Sequence, residues 1–424
     1  MTDAYYITAK ELSELELKKI PDELKSSAHM IYSSPATLDF NSPGAKGFGV
    51  KRAALAVPGS VMLLVAPGCC GRNTALLNEL GYSERFFYLL LDDTDIVTGR
   101  HLKKIPQAVG EILEELEQKP TAVMICITCV DALLGTDMER VCKKCELEHG
   151  VPTVPAYMYA LTREKRLHPM AAVRKSVYSL LEKRKRNSAV CNILGFFSPL
   201  YDSCELYTLL KEAGIKRINE ISRCKDFDRY LQLAEANFNL VLNSEARHAA
   251  QDMQERLGIP FIELTRVYDP DKIKTQYIGL NTVLGTSFGY EKYYETAIKE
   301  AEDFKTRYEG ASVAIGECLN ADSIELALTL IKYGINVKEL YTTVGEGNYP
   351  FLKRLATLSP DTRIYSNLSP TMLAYKRNTH LDAVIGVDAM YYHSGIKGIQ
   401  FNTEEQPFGF DGFRKLISEL GGVL

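Results

Sequence analysis

Ten cysteines stand in this chain of 424 residues, and their spacing carries more information than their number. They fall as Cys69-Cys70, as the pairs Cys126/Cys129 and Cys142/Cys145, and singly at Cys191, Cys204, Cys224 and Cys318. The stretch Met1–Lys19 is polar and charged, without the apolar segment of a secretion signal. The pairs therefore point to metal or redox chemistry and not to structural disulfides. Thiolates bind iron because both are soft enough for covalent Fe–S bonding. Zinc takes similar ligands, but a closed site needs two C-x-x-C pairs that face each other. Cys126 and Cys129 end an apolar run, whereas Cys142 and Cys145 lie one turn apart on an amphipathic helical pattern, which argues against that arrangement. The single cysteines read as ordinary core residues.

The cysteine pairs need elements to place them. Val61–Ala66 is an apolar run leading into Pro67-Gly68-Cys69-Cys70-Gly71, Phe86–Leu91 is a second, and Ala122–Ile127 is a third leading into Thr128-Cys129. Each predicts a buried parallel strand. Helical patterns lie between them: Gln107–Gln118 carries Val109, Ile112, Leu113 and Leu116, and Met138–Glu148 follows Asp137, a good N-cap. Alternation of this kind implies a doubly wound sheet with function at the carboxyl ends of its strands, so that two adjacent strands deliver Cys69-Cys70 and Cys129 to one rim. Gly68 and Gly71 would let backbone approach a bulky inorganic group there.

The same grammar restarts twice. Ser188–Gly195, the helix Glu205–Ala213 and the strand Asn239–Leu242 form one unit; Ser312–Gly316, the helix Ser323–Tyr333, Val337–Thr342, Arg363–Ser366 and Asp382–Ile385 form another. Hydrophobic residues at 46% and charged residues at 25% describe a multidomain globular chain, and a net charge of -4 argues against a nucleic-acid partner. The apolar runs are too short to span a bilayer, which predicts no membrane partner and a cytoplasmic protein. No G-x-G-x-x-G follows a strand and no P-loop motif is present, so ATP binding by this chain is not expected.

The order Gly44-Ala45-Lys46-Gly47, Ala66-Pro67-Gly68-Cys69-Cys70-Gly71, Asp95-Ile96-Val97-Thr98-Gly99-Arg100, then Cys129 followed by Leu133-Leu134-Gly135-Thr136-Asp137, resembles the N-terminal domain of nitrogenase component 1 subunits. Gly150–Pro155, Asn239-Leu240-Val241, Gly258–Phe261 and Phe410-Asp411-Gly412-Phe413 extend the resemblance over nearly the whole chain. It implies an α/β fold of three Rossmann-like, doubly wound parallel-sheet domains: residues 1–186 joined by 396–424, residues 187–309, and residues 310–395. It also implies an iron–sulfur cluster at a subunit interface, with Cys70 and Cys129 as ligands, Cys69 in reserve, and Gly44, Gly68 and Gly71 around them. The family's loop cysteine is missing from Leu38–Gly44, which leaves Cys69, Asp39, Cys126 or a partner's residue as the third ligand and favours a 4Fe-4S cluster.

A second departure concerns the substrate. The family's catalytic subunit anchors its molybdenum–iron cofactor through a cysteine after the Asn-Leu-Val strand and a histidine near the C-terminus. Asn243 stands at the first position and no histidine lies beyond His393, so that cofactor is not expected. The resemblance then implies a nitrogenase-like reductase subunit. It would pair with a second component 1-like subunit, itself or a paralogue, take electrons from an ATP-dependent iron–sulfur reductase, and reduce a tetrapyrrole or other small molecule. The alternatives are a scaffold for assembly of a cluster or metal cofactor, and a cluster-free small-molecule-binding protein. His248, His393, Glu317 and Asp388 are the candidate proton donors.

Overall fold

The computed structural model describes residues 3–24, 50–68, 81–128, 130, 134–158, 167, 169–345, 348–377 and 379–424. In chain order its strands are β1 (Ile7–Thr8), β2 (Val61–Ala66), β3 (Phe86–Leu90), β4 (Val123–Ile127), β5 (Thr153–Tyr157), β6 (Asn187–Leu194), β7 (Arg217–Glu220), β8 (Ala236–Val241), β9 (Phe261–Glu263), β10 (Ser312–Ile315), β11 (Asn336–Tyr341), β12 (Arg363–Tyr365), β13 (Ala383–Ile385) and β14 (Gly398–Ile399). They form sheets ordered β3-β2-β4-β5, β7-β6-β8-β9 and β1-β12-β11-β10-β13-β14. Every pairing is parallel except that of the short β1 with β12. The expected α/β class with parallel Rossmann-like sheets is what the chain adopts. Among the described residues, no helix is long and apolar enough to cross a membrane.

The chain divides into two compact units, one of residues 48–197 with 215–265 and the other of residues 1–47, 198–214 and 266–424. In the first unit β2 and β4 are buried along their whole length, and side-chain alternation sends their residues to two cores. Met62, Leu64, Ala66, Met124 and Cys126 pack under the helices Val50–Ala54 and Pro169–Ser179. Leu63, Val65, Ile125 and Ile127 pack against Val109 and Ile112 of the helix His101–Glu115 and Cys142 and Cys145 of the helix Met138–His149. Cover on both faces is why these strands read as unbroken apolar runs.

Two expectations need correction. Phe86–Leu91 reads as a buried strand, but β3 is an edge strand whose Tyr88 is 37% and Leu90 59% exposed; apolar composition records propensity, not position in the sheet. The helix expected over Gln107–Gln118 instead spans His101–Glu115 and carries Pro106 within it. Proline there removes one early hydrogen bond, which a helix tolerates near its start better than in its middle.

In the second unit a buried carboxylate fixes the last helix, Gly409–Gly421. Glu205, on the helix Glu205–Glu212, accepts hydrogen bonds from Phe410 N at 2.6 Å, Asp411 N at 3.0 Å and Tyr277 Oη at 2.7 Å. An anion at a helix N-terminus satisfies orphan N–H groups and meets the positive end of the dipole. Gly409 has φ +64°, and a Cβ there would lie 2.0 Å from Glu205 Oε1, so only glycine admits the carboxylate. Glu205→Ala strands these donors in the interior and is expected to cost about 3 kcal/mol, measured by denaturant unfolding; a loss below about 1 kcal/mol would contradict this role.

Candidate functional site

Parallel pairing sets Val65 opposite Ile127 in β2 and β4. The chain therefore leaves both strands side by side, through Pro67-Gly68 after β2 and Thr128 after β4. Cys69, Cys70, Gly71 and Cys129, like Asp39 and Gly44, lie outside the described residues. Of the candidates within them, Gly68 has only Leu90 Cδ1 near a would-be Cβ, at 3.8 Å, so its described surroundings would admit a side chain. Cys126 is fully buried among the side chains of Leu64, Met124 and Ala156, the placement of a core residue. Thr128 is 2% exposed, and its hydroxyl has no hydrogen-bond partner among the described residues.

Cys126 belongs to one core of this sheet and Cys142 and Cys145 to the other, so the two pairs do not converge. Burial pushes the Cys145 thiol up to about 11 and that of Cys142 well above its ordinary range, which disfavours the thiolate that a metal needs. Among the described residues no group of three or more His, Cys, Asp or Glu side chains is placed to hold a metal ion.

At the carboxyl end of the second sheet, β6 and β8 run into Gly195 and Asn243. Gly195 has φ +135°, and a Cβ would lie 2.7 Å from Asn243 N. Asn243 offers an amide and no thiolate, and its side chain accepts from Glu245 N, capping the next turn. Arg174 is buried beside it: it donates twice to Gly195 O, at 3.0 and 2.9 Å, pairs with Glu245 at 2.7 Å and lies over the Phe197 ring. Sequence reading overlooked Arg174, which sits mid-helix with nothing local to mark it.

The third sheet holds the densest chemistry, and here two of the candidate proton donors come together. Asp388 is fully buried and accepts from Glu317 N at 2.8 Å, Cys318 N at 3.1 Å and Asn367 Nδ2 at 2.7 Å. A Cβ on Gly316 would lie 2.0 Å from its Oδ1, so glycine at the end of β10 is what allows the contact. Glu317 accepts from Thr343 N at 2.9 Å and remains partly exposed. The other two candidates lie elsewhere. His248 is exposed on the helix Arg247–Leu257. His393 is fully buried, its Nε2 3.1 Å from Glu339 and within hydrogen-bonding reach of the Tyr341 and Tyr375 hydroxyls. That engages it in the core. Burial alone would raise the Glu339 carboxyl, but hydrogen bonds from His393, Thr379 and Tyr375 outweigh this and hold it below its usual range.

Burial first, and then the charge of Asp388, pushes the Glu317 carboxyl above its usual range. A carboxyl with a raised folded-state pKa contributes stability that is complete below its unfolded value, near about 4, and is lost as pH rises through the folded value. Glu317→Gln imitates the protonated form. The variant is expected to match the wild type at about pH 4, below the unfolded value, and to melt a few degrees higher at pH 8, by calorimetry at both values; a difference independent of pH would refute the assignment.

The sequence model of the nitrogenase component 1 type oxidoreductases matches residues 46–423. A nitrogenase iron-molybdenum cofactor biosynthesis protein NifE from Sinorhizobium fredii is 25% identical over 355 residues, covering 78% of this chain and 70% of that protein. The NifE of Mesorhizobium japonicum is 32% identical over 181 residues, 41% of this chain and 35% of its own. A nitrogenase molybdenum-iron protein alpha chain from Methanosarcina barkeri is 26% identical over 203 residues, 46% of this chain and 38% of its own. The solved structure of nitrogenase Cp1 at pH 6.5 superposes with a TM-score of 0.72 at 16% identity, over 96% of each chain. The chain belongs to the nitrogenase component 1 type oxidoreductase family.

Proposed function

We propose that this chain is a scaffold on which an iron–sulfur cluster or a metal-cofactor precursor is assembled or held and then passed on. The observation that carries this reading is the match to a cofactor biosynthesis protein across 78% of the chain. Asn243 supports it. The position that resembles the family's cofactor anchor has an amide already committed to capping a turn, so a cargo there would lack a permanent thiolate bond and be free to leave.

Cys70 and Cys129 would hold the resident cluster, with Cys69, Asp39, Cys126 or a residue of a second component 1-like subunit completing the set. Such a cluster, of the 4Fe-4S kind, supplies one-electron chemistry at low potential, and the protein tunes it by burial and hydrogen bonds. The described frame suits this role because β2 and β4 end side by side, so segments departing from them start from one rim. The protein would work in the cytoplasm.

A second reading is a reductase subunit that accepts electrons from an ATP-dependent iron–sulfur partner and reduces a small molecule. It is favoured by Glu317, a carboxyl whose raised pKa suits a proton donor. Anaerobically loaded protein separates the two. The scaffold reading expects iron to move to a metal-free iron–sulfur acceptor, with no sustained turnover when reductase and ATP are added. Sustained reduction of an added substrate would overturn it in favour of the second reading.

Cys70→Ala and Cys129→Ala are each expected to lose most of the iron from anaerobically prepared protein, while Cys224→Ala, on the second sheet's domain, retains it. Colorimetric iron and sulfide determination on all three decides the point, and full retention in the first two variants would sink the ligand assignment.

A further inference from the structure

The aromatic residues in the core on one face of the third sheet are all tyrosine: Tyr341 and Tyr365 are buried, and Tyr375 and Tyr392 pack against them. The chain has 16 phenylalanines, yet none belongs to this core among the described residues. Phenylalanine would fill the same space with no hydroxyl to satisfy, so packing alone does not call for these phenols.

The rings form a continuous line. Between ring centroids, Tyr391 lies 5.5 Å from Tyr392, Tyr392 5.2 Å from Tyr341, Tyr341 5.5 Å from Tyr365, and Tyr365 5.5 Å from Tyr6. Tyr341, at the middle, is fully buried and stacks on both neighbours, at interplanar angles of 10° and 23°. The two ends reach solvent, Tyr391 being 46% and Tyr6 41% exposed. Tyr375 stands beside the line, 5.0 Å from Tyr392 and 5.5 Å from Tyr365. Electron exchange falls exponentially with separation, so a file of rings in contact passes an electron far faster than one jump across the same span.

A phenol gives up an electron readily only where its proton has somewhere to go, because the oxidised phenol is a strong acid. Here the Tyr341 and Tyr375 hydroxyls both donate to one oxygen of Glu339, at 3.2 and 2.8 Å, and His393 Nε2 lies 3.1 Å from the same atom. Burial acts to raise the Glu339 carboxyl, but hydrogen bonds from His393, Thr379 and Tyr375 outweigh it. The carboxylate is therefore ionised and ready to accept. Proton acceptor and ring file meet at the same two tyrosines.

We propose that Tyr341 and Tyr375, with Glu339 and His393, form a one-electron redox site connected to the surface through Tyr392 and Tyr391 on one side and Tyr365 and Tyr6 on the other. One electron leaves a phenol for a strong one-electron oxidant, the phenolic proton passes along its hydrogen bond to Glu339, and a neutral phenoxyl radical remains. An electron from a reductant of the thiol or ascorbate class, delivered at an exposed ring, and return of the proton restore the phenol. The site does not depend on the cluster assignment.

Photogenerated tris(bipyridine)ruthenium(III) supplies the oxidant for the test, with freeze-quench electron paramagnetic resonance of the full chain as the readout. The wild type is expected to give a tyrosyl radical that outlives those of isolated exposed tyrosines and forms more slowly in heavy water, because a proton moves with the electron. The double variant Tyr341→Phe/Tyr375→Phe keeps the rings and is expected to lose this long-lived signal. Tyr6→Phe/Tyr391→Phe, which alters only exposed rings, is expected to keep the signal but form it several-fold more slowly. Short-lived radicals alone in the wild type, a rate indifferent to heavy water, a long-lived signal undiminished in Tyr341→Phe/Tyr375→Phe, or an unchanged rate in Tyr6→Phe/Tyr391→Phe would each overturn the proposal. The wild type and the surface variant decide the matter even if the buried variant does not fold.

Discussion

Parallel pairing constrains this chain more than any individual contact does. Once β2 lies parallel to β4, β6 to β8 and β10 to β13, every loop that leaves a strand for its crossover helix emerges at the carboxyl edge of its sheet. Gly68 and Thr128, Gly195 and Asn243, and Gly316 and Gly386 are the exit pairs that follow. Both faces of the strands are committed to packing, so these edges are where polar and reactive groups can gather without disturbing the cores. The Asp388–Glu317 pair and the Asn367 amide that donates to Asp388 sit at the carboxyl edge of the third sheet.

Buried charge then stabilises what pairing leaves loose. Glu205 ties the helix Gly409–Gly421 to the helix Glu205–Glu212, Arg174 ties the end of β6 to Glu245, and Glu339 gathers His393, Tyr341, Tyr375 and Thr379 beneath the third sheet. Each of these charges has its hydrogen-bonding capacity largely filled, the condition under which a buried ion is tolerated. Asp388 differs only in its neighbour. It accepts three donors of its own and lies beside a second carboxyl, Glu317, which burial first and then the charge of Asp388 hold above its usual range.

How much of this the sequence discloses depends on the kind of signal. Val61–Ala66, Ala122–Ile127 and Asp382–Ile385 are legible as strands because central parallel strands are apolar on both faces, and the observed elements agree within a residue. β7, Arg217–Glu220, escapes that test because its side chains are charged and partly exposed, and β5 escapes it because Pro155 interrupts the run. The exposure of β3 depends on its neighbours in space, which a local window does not contain. The same holds for the sites. Glu317 and Asp388 are visible as acids, but their meeting is a consequence of β10 lying beside β13. Asn320 and Phe401 are 81 positions apart and look like ordinary loop residues until the hydrogen bond from Asn320 N to Phe401 O brings their backbones together.

The central claim is that a chain without the family's cofactor anchors still holds iron at the rim where β2 and β4 end. Anomalous diffraction at the iron edge, from crystals of anaerobically loaded protein, tests it most directly. The account predicts an iron peak bonded to Cys70 and Cys129 beyond Gly68 and Thr128. Iron bound only elsewhere in the chain, or no iron after anaerobic reconstitution with ferrous iron and sulfide, would contradict it.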